Sequence, residues 1–191
     1  MNILITGGAG FLGSHLSEAL LNLGHNVTAL DVAGESKVKN LMDNPSFRLV
    51  HDNVTNDSLV DALVYQSDLV YHLAAVVGVE NYVADPYSVL NVNVNGTQNV
   101  LRAAMKYHKK VVFSSTSEVY GKSVDIPFKE DGDRLLGSTD TDRWCYSTSK
   151  AAGEHFCHAY RKMGLDVTIL RYFNVYGPKL DMLDRGRVVT I

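Results

Sequence analysis

A glycine-rich turn near the N-terminus constrains the fold of this chain more than any other feature. The residues Thr-Gly-Gly-Ala-Gly-Phe-Leu-Gly occupy positions 6–13, between a short apolar run, Asn2–Thr6, and a segment with apolar residues at helical spacing, Phe11–Leu23. The glycines satisfy both the G-x-G-x-x-G pattern and a spacing of one glycine every third residue, and they stand at Gly7, Gly8, Gly10 and Gly13. Between a strand and a helix, such glycines permit a tight turn and close approach of the backbone to a pyrophosphate, which the N–H groups of the helix N-terminus attract. The pattern therefore predicts a dinucleotide-binding turn.

An acidic residue stands at the position that this kind of turn requires. Asp31 follows the second predicted strand, Asn26–Leu30, about 20 residues after the turn. A carboxylate there can accept hydrogen bonds from both ribose hydroxyls of an adenosine, and it would repel a 2′-phosphate. Since no arginine follows closely, NAD is favoured over NADP as the cofactor. The alternative is a purely structural glycine turn with Asp31 as an ordinary loop acid.

Predicted strands and helices alternate along the whole chain. The predicted strands are Asn2–Thr6, Asn26–Leu30, Phe47–His51, Asp68–Leu73, Lys110–Ser114 and Val167–Leu170, and the predicted helices are Phe11–Leu23, 57–65, 85–107 and 143–163. Such alternation predicts an α/β fold, a doubly wound parallel sheet of the Rossmann type with helices on both faces. We expect residues 1–172 to form the NAD-binding domain and residues 173–191 to begin a substrate-binding portion.

The composition excludes several classes of protein. The chain has 191 residues, 46% of them hydrophobic, which suits one globular domain. A net charge of −3 argues against nucleic acid as the main partner, because the phosphate backbone requires a basic surface. No apolar run approaches the ~18 residues of a membrane span. The two cysteines are too few for a disulfide framework, so a reducing cytoplasm is the expected location.

A tyrosine and a lysine are placed for proton transfer. Tyr146 and Lys150 are four residues apart in a predicted helix, and therefore lie on the same helix face. A phenol has an unperturbed pKa of about 10, and a neighbouring ammonium favours the phenolate. Such a phenolate can remove a proton from a substrate alcohol while a hydride leaves the same carbon. The alternative is a pair on the helix surface.

A run of hydroxyl side chains ends the fifth predicted strand. Residues 113–121 are Phe-Ser-Ser-Thr-Ser-Glu-Val-Tyr-Gly. Hydroxyls at the carboxyl end of a parallel strand face the ligand crevice of an open α/β sheet. Thr116 could therefore donate a hydrogen bond to the oxygen that Tyr146 deprotonates, although a turn with capping hydroxyls would have the same composition. No metal is expected, because His155 and His158 lack a further ligand cluster.

Together these motifs resemble a known family. The sequence is similar to the extended short-chain dehydrogenase/reductases, in particular the NAD-dependent nucleotide-sugar epimerase/dehydratase group. The matching segments occur in family order and are residues 6–13, 71–75, 93–97, 114–121, 146–150 and 171–178.

The resemblance implies a role for each matching residue. The implied catalytic residues are Thr116, Tyr146, Lys150 and Glu118. The implied cofactor-binding residues are Gly7, Gly10, Phe11, Leu12, Asp31, Asn53, Val54, Leu73, Ala74, Ala75, Asn93, Ser114, Tyr146, Lys150 and Tyr172. The implied substrate-binding residues are Val77, Thr116 and Asn174. Many relatives hold the adenine with an acid after the third strand, and here Asn53 occupies that position, preceded by Asp52.

The resemblance also implies partners and a substrate class. Relatives act on UDP-sugars and form homodimers by packing the long helices that follow Asp85 and Arg143. They continue into a smaller domain that closes over the nucleotide and the sugar, and we expect most of that domain to lie beyond Ile191.

Oxidation of a sugar C4 alcohol to a ketone opens three reactions. The ketone can be reduced on its other face, it can promote loss of CO₂ from a C6 carboxylate, or it can acidify C5–H and permit loss of water. The family's dehydratases carry Asp-Glu after their threonine, whereas Ser117 and Glu118 stand here, which disfavours dehydration. A UDP-sugar 4-epimerase with a transient 4-keto intermediate is the favoured prediction. The alternatives are a UDP-glucuronate decarboxylase, with Glu118 in the place of its glutamate, another sugar-nucleotide dehydratase, and a non-catalytic NAD-binding module. An ordinary loop acid is an equal alternative for Glu118 itself.

Overall fold

A parallel sheet of six strands organises the chain in the computed structural model, which describes residues 1–180. The strands are β1 (Asn2–Thr6), β2 (Asn26–Asp31), β3 (Phe47–His51), β4 (Leu69–His72), β5 (Lys110–Thr116) and β6 (Val167–Tyr172). Their order in the sheet is β3-β2-β1-β4-β5-β6, and every neighbouring pair is parallel. The order reverses between β1 and β4, which is where an open α/β sheet forms its ligand crevice. The predicted doubly wound Rossmann fold is confirmed.

Helices connect the strands and cover both faces of the sheet. They are α1 (Phe11–Asn22), α2 (Asp57–Tyr65), α3 (Val79–Ala84), α4 (Pro86–Leu90), α5 (Gly96–Tyr107) and α6 (Trp144–Lys162). Short 3₁₀ turns occupy Glu35–Lys37, Lys39–Leu41 and Ser117–Tyr120, and a π-helical turn, Asn91–Asn95, joins α4 to α5. None of the helices within residues 1–180 is long and apolar enough to cross a membrane.

Side-chain caps determine where two of these helices begin. The Asn56 side chain accepts a hydrogen bond from the Leu59 N–H at the start of α2, and the Asp85 side chain accepts one from the Ser88 N–H at the start of α4. Each cap satisfies a backbone N–H that has no partner within its helix. The single helix predicted over 85–107 begins at the Asp85 cap and consists of three successive segments, α4, the π-helical turn and α5.

Alternating side chains of the strands form a separate apolar core on each face of the sheet. In β1, Ile3 and Ile5 belong to the core under α1, whereas Leu4 belongs to the core under α2, α5 and α6. This alternation follows from the two-residue period of a strand, and it requires apolar residues at successive positions when both faces are buried. The predicted boundary after residue 172 coincides with the end of β6, but residues 181–191 lie outside the described part of the chain, so the division remains a prediction.

Candidate active site

The glycine turn packs so closely that a side chain would collide at three of its positions, Gly7, Gly8 and Gly13. Gly7 has a φ of +75°, and a Cβ on it would lie 2.7 Å from the backbone nitrogen of Ala74. A Cβ on Gly13 would lie 2.1 Å from the carbonyl oxygen of Gly7. Gly10 precedes α1 without a side-chain cap, so no side chain competes there for the first N–H groups of the helix. The turn therefore has the bare backbone that a pyrophosphate requires.

Asp31 ties the end of β2 to this turn. One carboxylate oxygen accepts a 2.9 Å hydrogen bond from the Ala9 N–H, and the other accepts a 2.9 Å bond from the Ala33 N–H. Each carboxylate oxygen has a second lone pair that can accept a ribose hydroxyl. Asp31 is thus held at the position that the NAD prediction requires.

A cleft of about 360 Å³ opens along the carboxyl ends of the strands. Most of the residues predicted to bind cofactor or substrate line it: Gly7, Gly10, Phe11, Leu12, Asp31, Asn53, Val54, Leu73, Ala74, Ala75, Val77, Ser114, Thr116, Tyr146, Lys150 and Tyr172. Residues that were not predicted also contribute, among them Lys37 beside the adenosine end and Phe173, Val175 and Leu180 after β6. The cleft therefore brings together residues from nearly the whole length of the described chain.

Three predicted site residues do not line the cleft, and for Asn93, which is one of them, the role in cofactor binding stays a prediction. The Asn93 side chain is buried behind the wall, where its Oδ1 accepts a 2.8 Å hydrogen bond from the Val76 N–H and its Nδ2 donates to Ser149 Oγ at 3.0 Å. Asn93 thus connects the cleft wall to α6. Asn174 is exposed just beyond β6. The third residue is Glu118.

Glu118 follows Thr116 in a 3₁₀ turn, but its side chain is not part of the cleft lining. Arg143 Nη1 lies 3.8 Å from its Oε2, and Ser147 Oγ donates a 2.6 Å hydrogen bond to its carbonyl oxygen. The carboxylate therefore lies next to the N-terminus of α6, beside Arg143.

At the predicted adenine end, both candidate residues line the cleft. Asn53 Oδ1 accepts hydrogen bonds from the N–H and the hydroxyl of Thr55, each at 3.0 Å. The Asp52 carboxylate accepts from the Asn53 N–H and from Asn56 Nδ2. These bonds hold the loop after β3 in a defined conformation.

The predicted proton-transfer residues come together where β5 and α6 meet the cleft. Tyr146 and Lys150 are buried on one face of α6, and Thr116 is the last residue of β5. Thr116 Oγ1 accepts a 3.2 Å hydrogen bond from the Glu118 N–H, which leaves its own hydroxyl hydrogen as a donor. Burial lowers the pKa of Lys150 to about 8, so its ammonium is mostly protonated at pH 7. The arrangement supplies a phenol, an ammonium and a hydroxyl donor in one cleft.

His72 is a structural residue of this site, and although it stands in the matching segment 71–75, no role was predicted for it. Thr97 Oγ1 donates its single hydrogen to the Asn93 carbonyl, so it accepts from His72 Nε2 at 2.9 Å. His72 Nδ1 then accepts a 2.7 Å bond from Thr6 Oγ1 at the start of the glycine turn. Burial, and secondarily the charge of Lys150, lower the pKa of His72 to about 3, so the ring is neutral and connects β1, β4 and α5.

An ion pair beside β5 was also missed. Glu154 lies one turn after Lys150 on α6, and Arg171 lies beside Ser115 in the β5–β6 register. Arg171 donates to both Glu154 oxygens, at 2.8 and 2.7 Å, and Ser115 Oγ donates to Glu154 as well. Continuation of the Tyr146–Lys150 helix face to position 154 is the sequence signal that could have found it.

The comparisons with known proteins identify the family. The model of the NAD dependent epimerase/dehydratase family matches residues 3–190, and the chain belongs to this family. Its cofactor is NAD, as the glycine turn and Asp31 predicted.

Two curated relatives are decarboxylases. The chain is 46% identical to a UDP-N-acetyl-alpha-D-glucosaminuronate decarboxylase of Bacillus cytotoxicus, over 92% of this chain and 55% of the relative. It is 37% identical to UDP-glucuronic acid decarboxylase 1 of Xenopus tropicalis, over 98% of this chain and 44% of the relative. The chain thus spans about half the length of the curated relatives it matches.

Similar solved structures include two epimerases. UDP-glucose 4-epimerase of Thermotoga maritima, with UDP-glucose, has a TM-score of 0.87 and 33% identity, over 100% of this chain and 61% of that one. UDP-glucuronic acid 4-epimerase of Bacillus cereus, with UDP-glucuronic acid and NAD, has a TM-score of 0.82 and 35% identity, over 94% of this chain and 58% of that one. The fold and family are therefore shared by enzymes with different outcomes.

Proposed function

We propose that the protein oxidises the C4 hydroxyl of a UDP-linked sugar and that the sugar is a uronic acid, which then loses CO₂. The observation that carries the first step is the burial of Tyr146 and Lys150 on one face of α6, in the cleft that Thr116 also lines. The glycine turn and Asp31 would hold NAD, which supplies the hydride acceptor when bound.

Each of three side chains in this site has a separate role in the oxidation step. Tyr146 takes the proton of the C4 hydroxyl as its phenolate, and the Lys150 ammonium stabilises that phenolate. Thr116 donates a hydrogen bond to the same substrate oxygen and fixes its position. A ketone at C4 makes a C6 carboxylate a β-keto acid, which loses CO₂ because the carbanion that forms is delocalised into the ketone.

The relatives support decarboxylation as the outcome. Two curated proteins with high identity to this chain are a UDP-N-acetyl-alpha-D-glucosaminuronate decarboxylase and a UDP-glucuronic acid decarboxylase. Glu118 occupies the position of the glutamate in the decarboxylases that the Thr-Ser-Glu-Val-Tyr-Gly segment resembles. On the basis of this resemblance we assign Glu118 to the steps after oxidation.

A UDP-sugar 4-epimerase is the second candidate. The solved structures of UDP-glucose and UDP-glucuronic acid 4-epimerases share this fold. Epimerisation needs only Thr116, Tyr146 and Lys150, and these three residues do line the cleft. A homodimer and a cytoplasmic location remain predictions for either candidate.

Product analysis with the full-length protein separates the candidates. UDP-glucuronate, UDP-N-acetylglucosaminuronate and UDP-glucose are incubated with the NAD-loaded protein, and CO₂ and the UDP-sugar products are measured. Release of CO₂ supports the decarboxylase, a C4 epimer without CO₂ supports the epimerase, and NAD binding without hydride transfer from any UDP-sugar contradicts both.

Two variants test the residue roles in the same assay. Tyr146→Phe removes the acid–base group and should keep NAD while losing turnover by about 10²–10⁴-fold. Tyr65→Phe, at a side chain on α2 that is 63% exposed, is the matched control and should keep full activity. Glu118→Gln should abolish CO₂ release from a decarboxylase and leave the oxidation step intact.

A further inference from the structure

The ring of Tyr146 is stacked on a second tyrosine that the reaction itself does not use. The planes of the Tyr82 and Tyr146 rings are almost parallel, at 5° to one another, and the ring centroids are 4.6 Å apart. Tyr82 is 3% exposed and Tyr146 is 7% exposed, so the stack is closed to water on most sides. The two residues lie on different elements, α3 and α6, and the stack joins those elements at the proton-transfer group.

Tyr82 is also connected to the wall of the cofactor cleft. The wall segment 73–77 leads directly into Gly78, whose φ of +107° turns the chain into α3. Asn81 Nδ2 donates a 2.7 Å hydrogen bond to the Val77 carbonyl, and Val76 packs in the same apolar cluster as Tyr82 and Tyr146. One short segment therefore both lines the cleft and carries the ring that covers Tyr146.

The stack restricts the movements that would misplace the phenol oxygen. A tyrosine ring has two side-chain torsions, and a parallel neighbour against its face opposes rotation about either of them. Proton transfer needs its heavy atoms within hydrogen-bond distance, and a displacement of about 1 Å in a reacting group can cost about 10²-fold in rate. Any residue that holds the ring plane is consequently expected to affect the chemical step rather than substrate binding.

We propose that Tyr82 is a positioning residue for Tyr146, and that its ring, not its hydroxyl, performs this role. Only the expected effect on turnover rests on the proposed function. The position of the Tyr146 ring is a property of the folded chain, and it can be measured without substrate.

The experiment compares Tyr82→Ala, Tyr82→Leu and Tyr82→Phe in the full-length, NAD-loaded protein. Removal of the ring should lower kcat by about 10-fold to 100-fold with KM for the UDP-sugar nearly unchanged, and Tyr82→Phe should restore kcat to within about 2-fold of wild type. Tyr65→Ala is the control, since Tyr65 also packs its ring on a second tyrosine, Tyr107, but is 63% exposed on α2 and does not line the cleft. Equal losses in Tyr82→Phe and Tyr82→Ala would overturn the proposal, because the hydroxyl would then be the active part, and so would wild-type kcat in Tyr82→Ala.

A spectroscopic measurement makes the test independent of activity. The protein is labelled uniformly with 3-fluorotyrosine, and the ¹⁹F resonance of Tyr146 is assigned by its absence from Tyr146→Phe. This resonance should shift when the neighbouring ring is removed in Tyr82→Ala or Tyr82→Leu, and should stay near its wild-type position in Tyr82→Phe. If the Tyr146 resonance is unchanged in the variants that lack the Tyr82 ring, the two rings are not stacked and the positioning proposal fails. If instead the wild-type protein is inactive on every UDP-sugar, only the proposed function is contradicted.

Discussion

The ammonium of Lys150 donates a 2.8 Å hydrogen bond to the backbone carbonyl of Ser114 near the end of β5. This bond anchors the charged group to the strand that also carries Thr116, so the ammonium and the hydroxyl donor share one rigid support. The Lys150 ammonium also lies 5.1 Å from the centroid of the Phe113 ring, which favours the cation. Burial nevertheless dominates and lowers the pKa of Lys150 to about 8.

The titration of Lys150 predicts how kcat/KM changes with pH on the alkaline side. Above about pH 8 the buried amine loses its proton, and with it the charge that supports the Tyr146 phenolate, so kcat/KM should fall. The arginine in Lys150→Arg keeps its charge at high pH, so the fall in kcat/KM should begin at a higher pH than in the wild type. The highest kcat/KM of this variant should be below that of the wild type, because arginine has a different shape. The profile is measured between pH 6 and pH 10 on the full-length protein. An identical alkaline limb in both proteins would contradict the assignment to Lys150.

Gly13 and Gly34 form a matched pair for testing the glycine turn. A Cβ on Gly13 would lie 2.1 Å from a backbone oxygen, whereas a Cβ on Gly34 meets nothing within 4 Å. Gly13→Ala should therefore cost about 1–3 kcal/mol of unfolding free energy and weaken NAD binding. Gly34→Ala should be neutral, or stabilise by up to about 1 kcal/mol through the unfolded chain. Urea unfolding and calorimetric NAD titration measure both effects, and similar losses in the two variants would show that close packing is not the cause.

The fold was predictable because its elements have local signals. Each strand is a short apolar run, and all six predicted strands are present with ends shifted by at most two residues. The helix α3 was not predicted, because Val79–Ala84 is only six residues long and its position depends on the stack between Tyr82 and Tyr146. Local sequence carries little information about such a contact.

Residues of the site could be predicted only where they belong to a motif with a defined spacing. The glycine turn, Asp31, Tyr146 and Lys150 were found because their spacing is part of the chemistry. His72 was not found, since its partners Thr6 and Thr97 are 66 and 25 residues away in the chain. Asn93 was assigned to the cofactor from the resemblance alone, whereas the fold places it behind the cleft wall.

The buried ring of His72 predicts a loss of stability in acid. Its pKa is about 3 in the folded chain and about 6.5 in the unfolded chain, because burial penalises the charged form. Between these values the unfolded chain binds a proton that the folded chain does not. The free energy of unfolding should therefore fall as the pH falls through this window, by about 1.4 kcal/mol per pH unit.

Urea unfolding of three proteins between pH 7.5 and pH 5 isolates this contribution. His72→Gln cannot titrate, and its stability should depend less on pH than that of the wild type, although its absolute stability is lower. His155→Gln, at an exposed position on α6, should follow the wild type. A wild-type slope equal to that of His72→Gln would mean that the ring is protonated in the folded state.

The Glu154–Arg171 pair should be worth far more than a surface ion pair. The side chain of Arg171 is 19% exposed and that of Glu154 is 8% exposed. Burial raises the pKa of Glu154, but hydrogen bonds from Arg171 and Ser115 outweigh it and leave that pKa lowered. Arg171→Met would leave the carboxylate buried without its cation, at a cost of about 3 kcal/mol.

A double-mutant cycle with a surface control measures this difference. Glu154→Gln removes the charge that Arg171→Met leaves uncompensated, so the double variant should recover part of the loss, with a coupling energy of about 1–3 kcal/mol. Arg102→Met breaks the surface pair with Asp57; the side chain of Arg102 is 54% exposed and that of Asp57 is 62% exposed. This change should lower the free energy of unfolding by less than about 1 kcal/mol. Unfolding by urea at pH 7 gives all of these values. If Arg171→Met proves no more destabilising than Arg102→Met, the pair does not hold β5, β6 and α6 together.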